Sequence, residues 1–494
     1  MEPARLDWAR EWLRTPKRGF IDGVWRDGGG GSVATINPTT GELLGTLQCA
    51  NASAVDAGVA AARRAFASGP WGALARRERA RVLRAIGEVA RTHRAELATL
   101  IALENGKLYR EAYDDDMPDT GDVFDYYAGW TDKVYGESCP VDGDFINYTA
   151  RVPVGVCALI VPWNFPLLLA AWKLAPALAM GNTVIIKPSP STSYSLIRFI
   201  ELVHEQVDVP AGVINLVLGG GEVGEQLSAH PQVDKISFTG STAVGRRILH
   251  NAADSNLKTV TLELGGKSPN IVFDDVPDFD FAAERSFQLM FAQKGEKCSE
   301  PTRFLIQRGI YDRFVERLVA MAERVVCGDP FDTRSEQGPQ CTQEQMEKCL
   351  RYIAIGKAEG AQLLAGGGRD VRGSNAAGYF VRPTIFAGTN AMQIARDEIF
   401  GPVLVVIPFA EEAEAVRMAN DTPYGLAAGV WSRDLSRAHR VANQLDAGMV
   451  FINRYGCYDF ASPFGGLKQS GWGKEMAAHS LAAYTKLKSI WVKV

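Results

Sequence analysis

A thiol and a carboxylate stand out within one stretch of the chain, Thr261 to Arg303. The carboxylate is Glu263, in Leu262-Glu263-Leu264-Gly265-Gly266-Lys267-Ser268-Pro269-Asn270, just ahead of a Gly-Gly turn. The thiol is Cys298, in Gly295-Glu296-Lys297-Cys298-Ser299-Glu300. Covalent acyl chemistry needs a sulfur nucleophile and a base that can activate water, and these two residue types supply both. Taken singly, a Cys most often packs as a small buried hydrophobe, and a Glu most often lies at the surface. As partners across one cavity they would form a thioester and hydrolyse it.

Other motifs accompany them in order along the chain: Val161-Pro162-Trp163-Asn164-Phe165-Pro166, Phe238-Thr239-Gly240-Ser241-Thr242, Glu398-Ile399-Phe400-Gly401-Pro402 and Pro463-Phe464-Gly465-Gly466-Leu467-Lys468-Gln469-Ser470-Gly471. With the segments around Glu263 and Cys298, they resemble the ordered signatures of the NAD(P)-dependent aldehyde dehydrogenase superfamily over nearly the whole chain. The resemblance implies that Cys298 attacks an aldehyde to give a thiohemiacetal. The Asn164 amide and the Cys298 backbone N–H would stabilise its oxyanion. Collapse would expel hydride to a nicotinamide, and water activated by Glu263 would cleave the resulting thioester. No metal ligand set is expected.

Two loops compete for the coenzyme phosphates. Gly219-Gly220-Gly221-Glu222-Val223-Gly224 matches the ordinary dinucleotide fingerprint after a strand, which makes Gly221 a candidate. Phe238 to Gly245 also runs from strand to helix, where a pyrophosphate would be stabilised. The resemblance favours the second loop and implicates Phe238, Gly240, Ser241 and Gly245. It also assigns Trp163, Ser189 and Leu264 to the coenzyme, Lys187 to the adenosine ribose, and Glu398 and Phe400 to the nicotinamide end. Many NAD-preferring relatives carry Glu where this chain has Pro190. A carboxylate there repels a 2′-phosphate, so NAD is expected with NADP possible.

By the same resemblance Phe165, Trp172, Tyr458 and Phe464 form an aromatic funnel suited to a hydrophobic aldehyde, aromatic or medium-chain. Around the nucleophile the chain departs from the common pattern: Glu296 stands where Gln is usual, and Lys297 directly precedes Cys298. Lys297 could lower the thiol pKa or attract an acidic substrate, and Arg454 poses the same question. Lys173 and Glu475 match a proton-exit pair in relatives, although by themselves they read as surface or structural charges. The alternatives are a dehydrogenase for carboxylated semialdehydes, a CoA-acylating enzyme, or a non-catalytic binding or structural protein with this fold. Glu263 argues against CoA acylation, and the full set of Cys298, Glu263 and Asn164 argues against a non-catalytic role.

These groups need a scaffold that brings distant segments together. Apolar runs at Val156–Val161, Thr183–Ile186, Val213–Leu218 and Lys235–Phe238 alternate with helix patterns at Leu167–Met180 and Ser191–Gln206, which argues for a doubly wound parallel sheet. A second alternation follows, with strands at Asn270–Phe273, Thr302–Gln307, Val403–Ile407 and Met449–Asn453. The fold expected is α/β: two doubly wound parallel-sheet domains plus a small β arm, which the resemblance assigns to oligomerisation. Residues 1–134 and 153–262 form the dinucleotide-binding domain and 263–470 the catalytic domain. Residues 135–152 and 471–494 form the arm and C-terminal strand. Gly28–Gly31 reads as a flexible tip, Arg76–Asn105 as helical, and Tyr135–Val152, with alternation over Phe145–Val152, as a hairpin only half buried that needs a partner to cover it.

The 494 residues are 46% hydrophobic and 22% charged, with a formal net charge of −4, near the average for globular chains. Acids and bases are mixed, so neither a nucleic-acid face nor a polybasic membrane signal is expected. The eight cysteines lack C-x-x-C spacing, which fits a reducing compartment. The first twenty residues lack the apolar segment of a signal peptide, and no apolar run is long enough to span a bilayer. The expectation is a cytoplasmic homodimer or homotetramer acting on a small-molecule aldehyde.

Overall fold

The computed structural model describes residues 3–494. Its first sheet has eight strands built around five parallel ones. Val156–Ile160, Thr183–Lys187 and Lys235–Thr239 are buried along their whole length, as strands covered by helices on both faces must be. Thr183–Lys187 and then Ile214–Leu216 lie on one side of Val156–Ile160, while Lys235–Thr239 and then Thr259–Glu263 lie on the other. The order therefore reverses between Val156–Ile160 and Lys235–Thr239. Ligands of doubly wound sheets sit beyond the carboxyl ends of the strands at such a reversal. Short antiparallel strands close the edges: Gly19–Ile21 and Val24–Arg26 at one, Gly471–Trp472 at the other. Gly471 and Trp472, grouped with the arm in the sequence reading, thus pair with Glu263 and Leu262.

The second sheet runs Gln362–Ala365, Thr384–Ala387, Val403–Phe409, Arg303–Gln307, Pro269–Val272, Ala427–Trp431, Met449–Ile452. All its pairings are parallel except the first. The sequence pattern misses Ala427–Trp431 because Ala-Ala-Gly carries little strand propensity. The small residues are there for packing: a Cβ on Gly429 would fall 2.4 Å from Asn270 Oδ1 and 2.5 Å from the Tyr455 ring. Arg303, fully buried, donates to the Lys267, Met418 and Ala419 carbonyls and to Asn390 Oδ1. The end of the Glu263 turn is thereby braced against the second sheet.

Three readings from the sequence change. Gly28–Gly31 is not a free tip: the strand Gly29–Ile36 pairs with Leu43–Ala50, and Gly28 and Gly30 lie against the Cys49 and Ala50 backbone with no room for a Cβ. The helix expected over Arg76–Asn105 is two, Arg76–Thr92 and Arg94–Asn105, which break at His93. Phe145–Pro153 pairs along its length with Thr485–Lys493, and only Asn147 and Tyr148 also pair with Ser138–Cys139. Among the described residues no helix is long and apolar enough to cross a membrane.

Candidate active site

Glu263 ends its strand at the carboxyl edge of the first sheet, and the chain then turns through Gly265 and Gly266. Both glycines are required by close approach. A Cβ on Gly265 would meet Glu398 Oε2 at 2.3 Å, and one on Gly266 would meet the Cys298 carbonyl at 2.4 Å. The Gly-Gly pair is what lets the base, the nucleophile loop and Glu398 share one space. Ser470 holds the turn, its hydroxyl donating to the Gly265 carbonyl and accepting from Gly425 N–H. Glu398 Oε1 accepts from Gly266 N–H at 2.9 Å.

Cys298, Glu263 and Asn164 converge on one cleft of about 630 Å³, lined also by Trp163, Gly240, Ser241, Leu264, Glu398 and Phe400. Glu263 Oε2 is buried without a hydrogen-bond partner. Burial pushes its carboxyl well above the ordinary range; Glu475 adds to the rise, and Lys173 and Lys474 oppose it. Burial likewise pushes the Cys298 thiol up, and the Glu263 and Glu398 carboxylates reinforce that. Lys297, which the sequence placed as a cation beside the thiol, instead lies 3.6 Å from Glu300 Oε1. Burial raises the Glu300 carboxyl to about 8 against the pull of Lys297. Asn164 is buried and donates one amide N–H to the Glu296 carbonyl at 2.8 Å, which leaves its second N–H for another acceptor.

A second cleft of about 940 Å³ shares Pro162, Trp163, Thr239, Gly240 and Ser241 with the first. Lys187, Ser189, Pro190, Gly221 and Phe238 also line it. The two candidate phosphate loops therefore face one space. Ser241 caps the helix Thr242–Asp254, accepting from Val244 N–H, and a helix start of this kind favours an anion. Gly220 and Gly221 face open space, and Thr239 Oγ1 is buried without a partner. These features fit a dinucleotide lying across both clefts. Lys187 Nζ donates to the Pro188 and Gly219 carbonyls, and burial lowers its pKa to about 8. Gly245 does not line either cleft; it packs where a Cβ would meet Leu264 Cδ2 at 2.8 Å. Phe400 adopts φ 62°, a strained conformation for a non-glycine residue. Gln345 Nε2 holds it by donating to its carbonyl at 2.6 Å, and its ring meets Trp163 edge-on at 5.3 Å.

The sequence profile of the Aldehyde dehydrogenase family matches residues 25–490. The chain belongs to the aldehyde dehydrogenase family. Human mitochondrial aldehyde dehydrogenase is 44% identical over 96% of this chain and 92% of its own. The NAD+ complex of aldehyde dehydrogenase from Bacillus cereus superposes with TM-score 0.96 at 42% identity, covering 100% of this chain and 99% of that one. A variant indole-3-acetaldehyde dehydrogenase of P. syringae, solved with NAD+ and IAA, gives TM-score 0.96 at 40% identity, covering 100% of both chains. This aldehyde dehydrogenase is thus an enzyme that oxidises aldehydes with a nicotinamide coenzyme.

In this aldehyde dehydrogenase Trp172 and Tyr458 gather around Phe464. Trp172 and Phe464 meet edge-on at 5.1 Å, and Tyr458 lies 5.9 Å from Phe464. Phe165 and Cys298 pack against the same core. The Tyr458 hydroxyl bonds Ser299 Oγ at 2.8 Å. Beneath Phe165 lies the buried Lys107, its ammonium 3.9 Å from the ring centre and paired with Asp116. Lys173 and Glu475 are not surface charges: they form a buried pair beside Ser237. Gln345 and Lys348, from the helix Gln343–Ala358, line the cleft but escaped the sequence reading. A charged helix with no motif gives no signal that one face covers a site.

Proposed function

We propose that Cys298 is the nucleophile, that Asn164 and the Cys298 backbone N–H receive the oxyanion, and that Glu263 activates the water releasing the carboxylate. The carrying observation is the convergence of Cys298, Glu263 and Asn164 on one cleft with Glu398 and Phe400. When bound, the coenzyme supplies the hydride acceptor. Trp163, Leu264, Glu398 and Phe400 would hold its nicotinamide half, and Gly240 and Ser241, shared by both clefts, its pyrophosphate; Lys187, Ser189, Gly221 and Phe238 would hold the adenosine half. An unpartnered, desolvated Glu263 oxygen is a stronger base than an exposed carboxylate.

The substrate we infer is hydrophobic, aromatic or medium-chain. Burying an apolar tail among Phe165, Trp172, Tyr458 and Phe464 contributes about 1.5 to 3 kcal/mol. Lys297 is engaged by Glu300 and Arg454 is exposed, so neither charge commits the funnel to an acid. The aromatic aldehyde named for the P. syringae relative accords with this. The check is kcat/KM for an apolar aldehyde against a carboxylated one of equal length. The apolar compound should win, in wild type and Arg454→Ala alike. A carboxylated substrate that wins and loses its advantage in Arg454→Ala would make Arg454 the specificity residue.

For the coenzyme, NAD should be used and NADP tolerated, because Pro190 brings no carboxylate to the adenosine end of the cleft. Pro190→Glu should depress NADP-supported kcat/KM and spare the NAD value. A wild-type preference for NAD of about a thousandfold or more would transfer the exclusion to another group. Glu225, which lines the same cleft and pairs with Arg247, would be the candidate.

The sheet of Phe145–Pro153 and Thr485–Lys493 carries exposed Ile146, Tyr148, Leu487 and Trp491, an apolar surface of the kind that a second copy covers. We assign it to a homodimer or homotetramer. Truncation after Lys486 should yield smaller or aggregating species in sedimentation; an unaltered assembly would remove the strand from that role. All eight cysteines are unpaired, which accords with a reducing, cytoplasmic setting.

A further inference from the structure

The amide of Asn164 belongs to a closed ring of buried contacts. Asn164 Nδ2 donates to the Glu296 carbonyl at 2.8 Å, and the Glu296 carboxylate lies 2.9 Å from Lys294 Nζ. Lys294 Nζ donates to Asn105 Oδ1 at 2.9 Å, and Asn105 Nδ2 donates to the Trp163 carbonyl at 2.9 Å. Trp163 precedes Asn164, so the ring closes. Glu296 is fixed once more where its other oxygen accepts from Cys341 N–H at 3.0 Å. Lys294 also donates to the Asn105 backbone carbonyl at 2.7 Å, the end of the helix Arg94–Asn105, where a cation is favoured.

Asn105, Lys294 and Glu296 are each 1% exposed. Burying an ammonium and a carboxylate is costly, and their attraction offsets the cost only with good geometry and further hydrogen bonds. The pair flanks an unusual stretch of backbone: Gln293, Lys294 and Gly295 have φ of 47°, 64° and 71°. Consecutive left-handed residues are strained and persist only where side chains over-determine them. The pair staples residue 294 to residue 296 across that turn, two residues before the nucleophile.

We infer that the Lys294–Glu296 ion pair is a positioning device for the oxyanion site, holding the turn so that one Asn164 N–H is committed to Glu296 and the other stays free for the oxyanion. This rests on the oxyanion role proposed above for Asn164. Glu296 is the member that titrates: burial raises it to about 7 against the pull of Lys294, Lys107 lying further off. The other titratable groups facing it are the thiols of Cys341 and Cys349. Below about pH 7 the carboxyl takes a proton and the pair is lost; above it the pair is intact.

The test is the stopped-flow burst of NADH with saturating coenzyme, which reads hydride transfer and not thioester hydrolysis. Glu296→Gln should slow the burst about tenfold or more, the scale of a modest misplacement of a catalytic group, with the Kd for NAD unchanged. Because that variant strands Lys294 and can fail to fold, the Lys294→Gln/Glu296→Gln double variant is measured beside it. The double variant should regain most of the rate, and the part of the fall in burst rate near pH 7 that Glu296 adds to the thiol's own pH dependence should be missing from it. In an Asn164→Ala background, Glu296→Gln should slow the burst little further. An unchanged burst in Glu296→Gln, a full further slowing in the Asn164→Ala background, or a pH profile identical in wild type and the double variant would each overturn the inference. An unimpaired burst in Asn164→Ala alone would instead remove Asn164 from the oxyanion site.

Discussion

Cys298→Ala is expected to abolish aldehyde oxidation while NAD still binds with its wild-type affinity. The thiol is the group proposed to bond covalently to substrate, and removal of a nucleophile typically costs about a thousandfold or more in turnover. Little else should change. What holds the Cys298 loop is the Glu296 contacts, Gly266 and the strained turn before it. The coenzyme clefts are shaped by Gly240, Ser241, Lys187 and Glu398, none of which depends on the sulfur. The assay pairs NADH formation with calorimetric titration of NAD. A folded variant that kept turnover within about tenfold of wild type would sink the covalent mechanism.

Glu263→Gln carries the second large effect, on the other half-reaction. The burst of NADH should persist and the steady state that follows should collapse, because an amide of the same shape cannot take a proton from water. In wild type, a base held well above the ordinary carboxylate range by burial is ionised only as pH rises through its shifted value. Deacylation-limited kcat should therefore climb with pH in that region, and the limb should vanish in Glu263→Gln. If the burst itself is what slows, Glu263 acts before the thioester and the assignment of the base is wrong.

How much of this was legible in the chain depends on the kind of residue. The parallel strands around Val156–Ile160 and the helix at Tyr194–Gln206 follow from apolar runs and periodicity. The Gly-Gly turn and the segment of Glu398 and Phe400 were legible as motifs that resemble a family. The reason for Gly265 and Gly266, the approach of Glu398 and of the Cys298 carbonyl, appears only in three dimensions. Ala427–Trp431 was missed because its small residues serve their neighbours and not the strand. Lys173 with Glu475 read as surface or structural charges because spacing cannot reveal a partner some three hundred residues away, and the pairing of Lys294 with Glu296 gave no signal because it depends on a turn that folds back on itself. Gly245 was carried over with its motif, whereas its position speaks for packing under Leu264.

The most direct measurement is the intact mass and peptide map of Glu263→Gln quenched during turnover with NAD and an aromatic aldehyde. The account predicts an adduct on the peptide containing Cys298, heavier by the mass of the aldehyde less two hydrogens, accumulating to near one per subunit and decaying slowly. An adduct on another residue, or NADH formed with no acyl group retained while hydride transfer limits the rate, would contradict it.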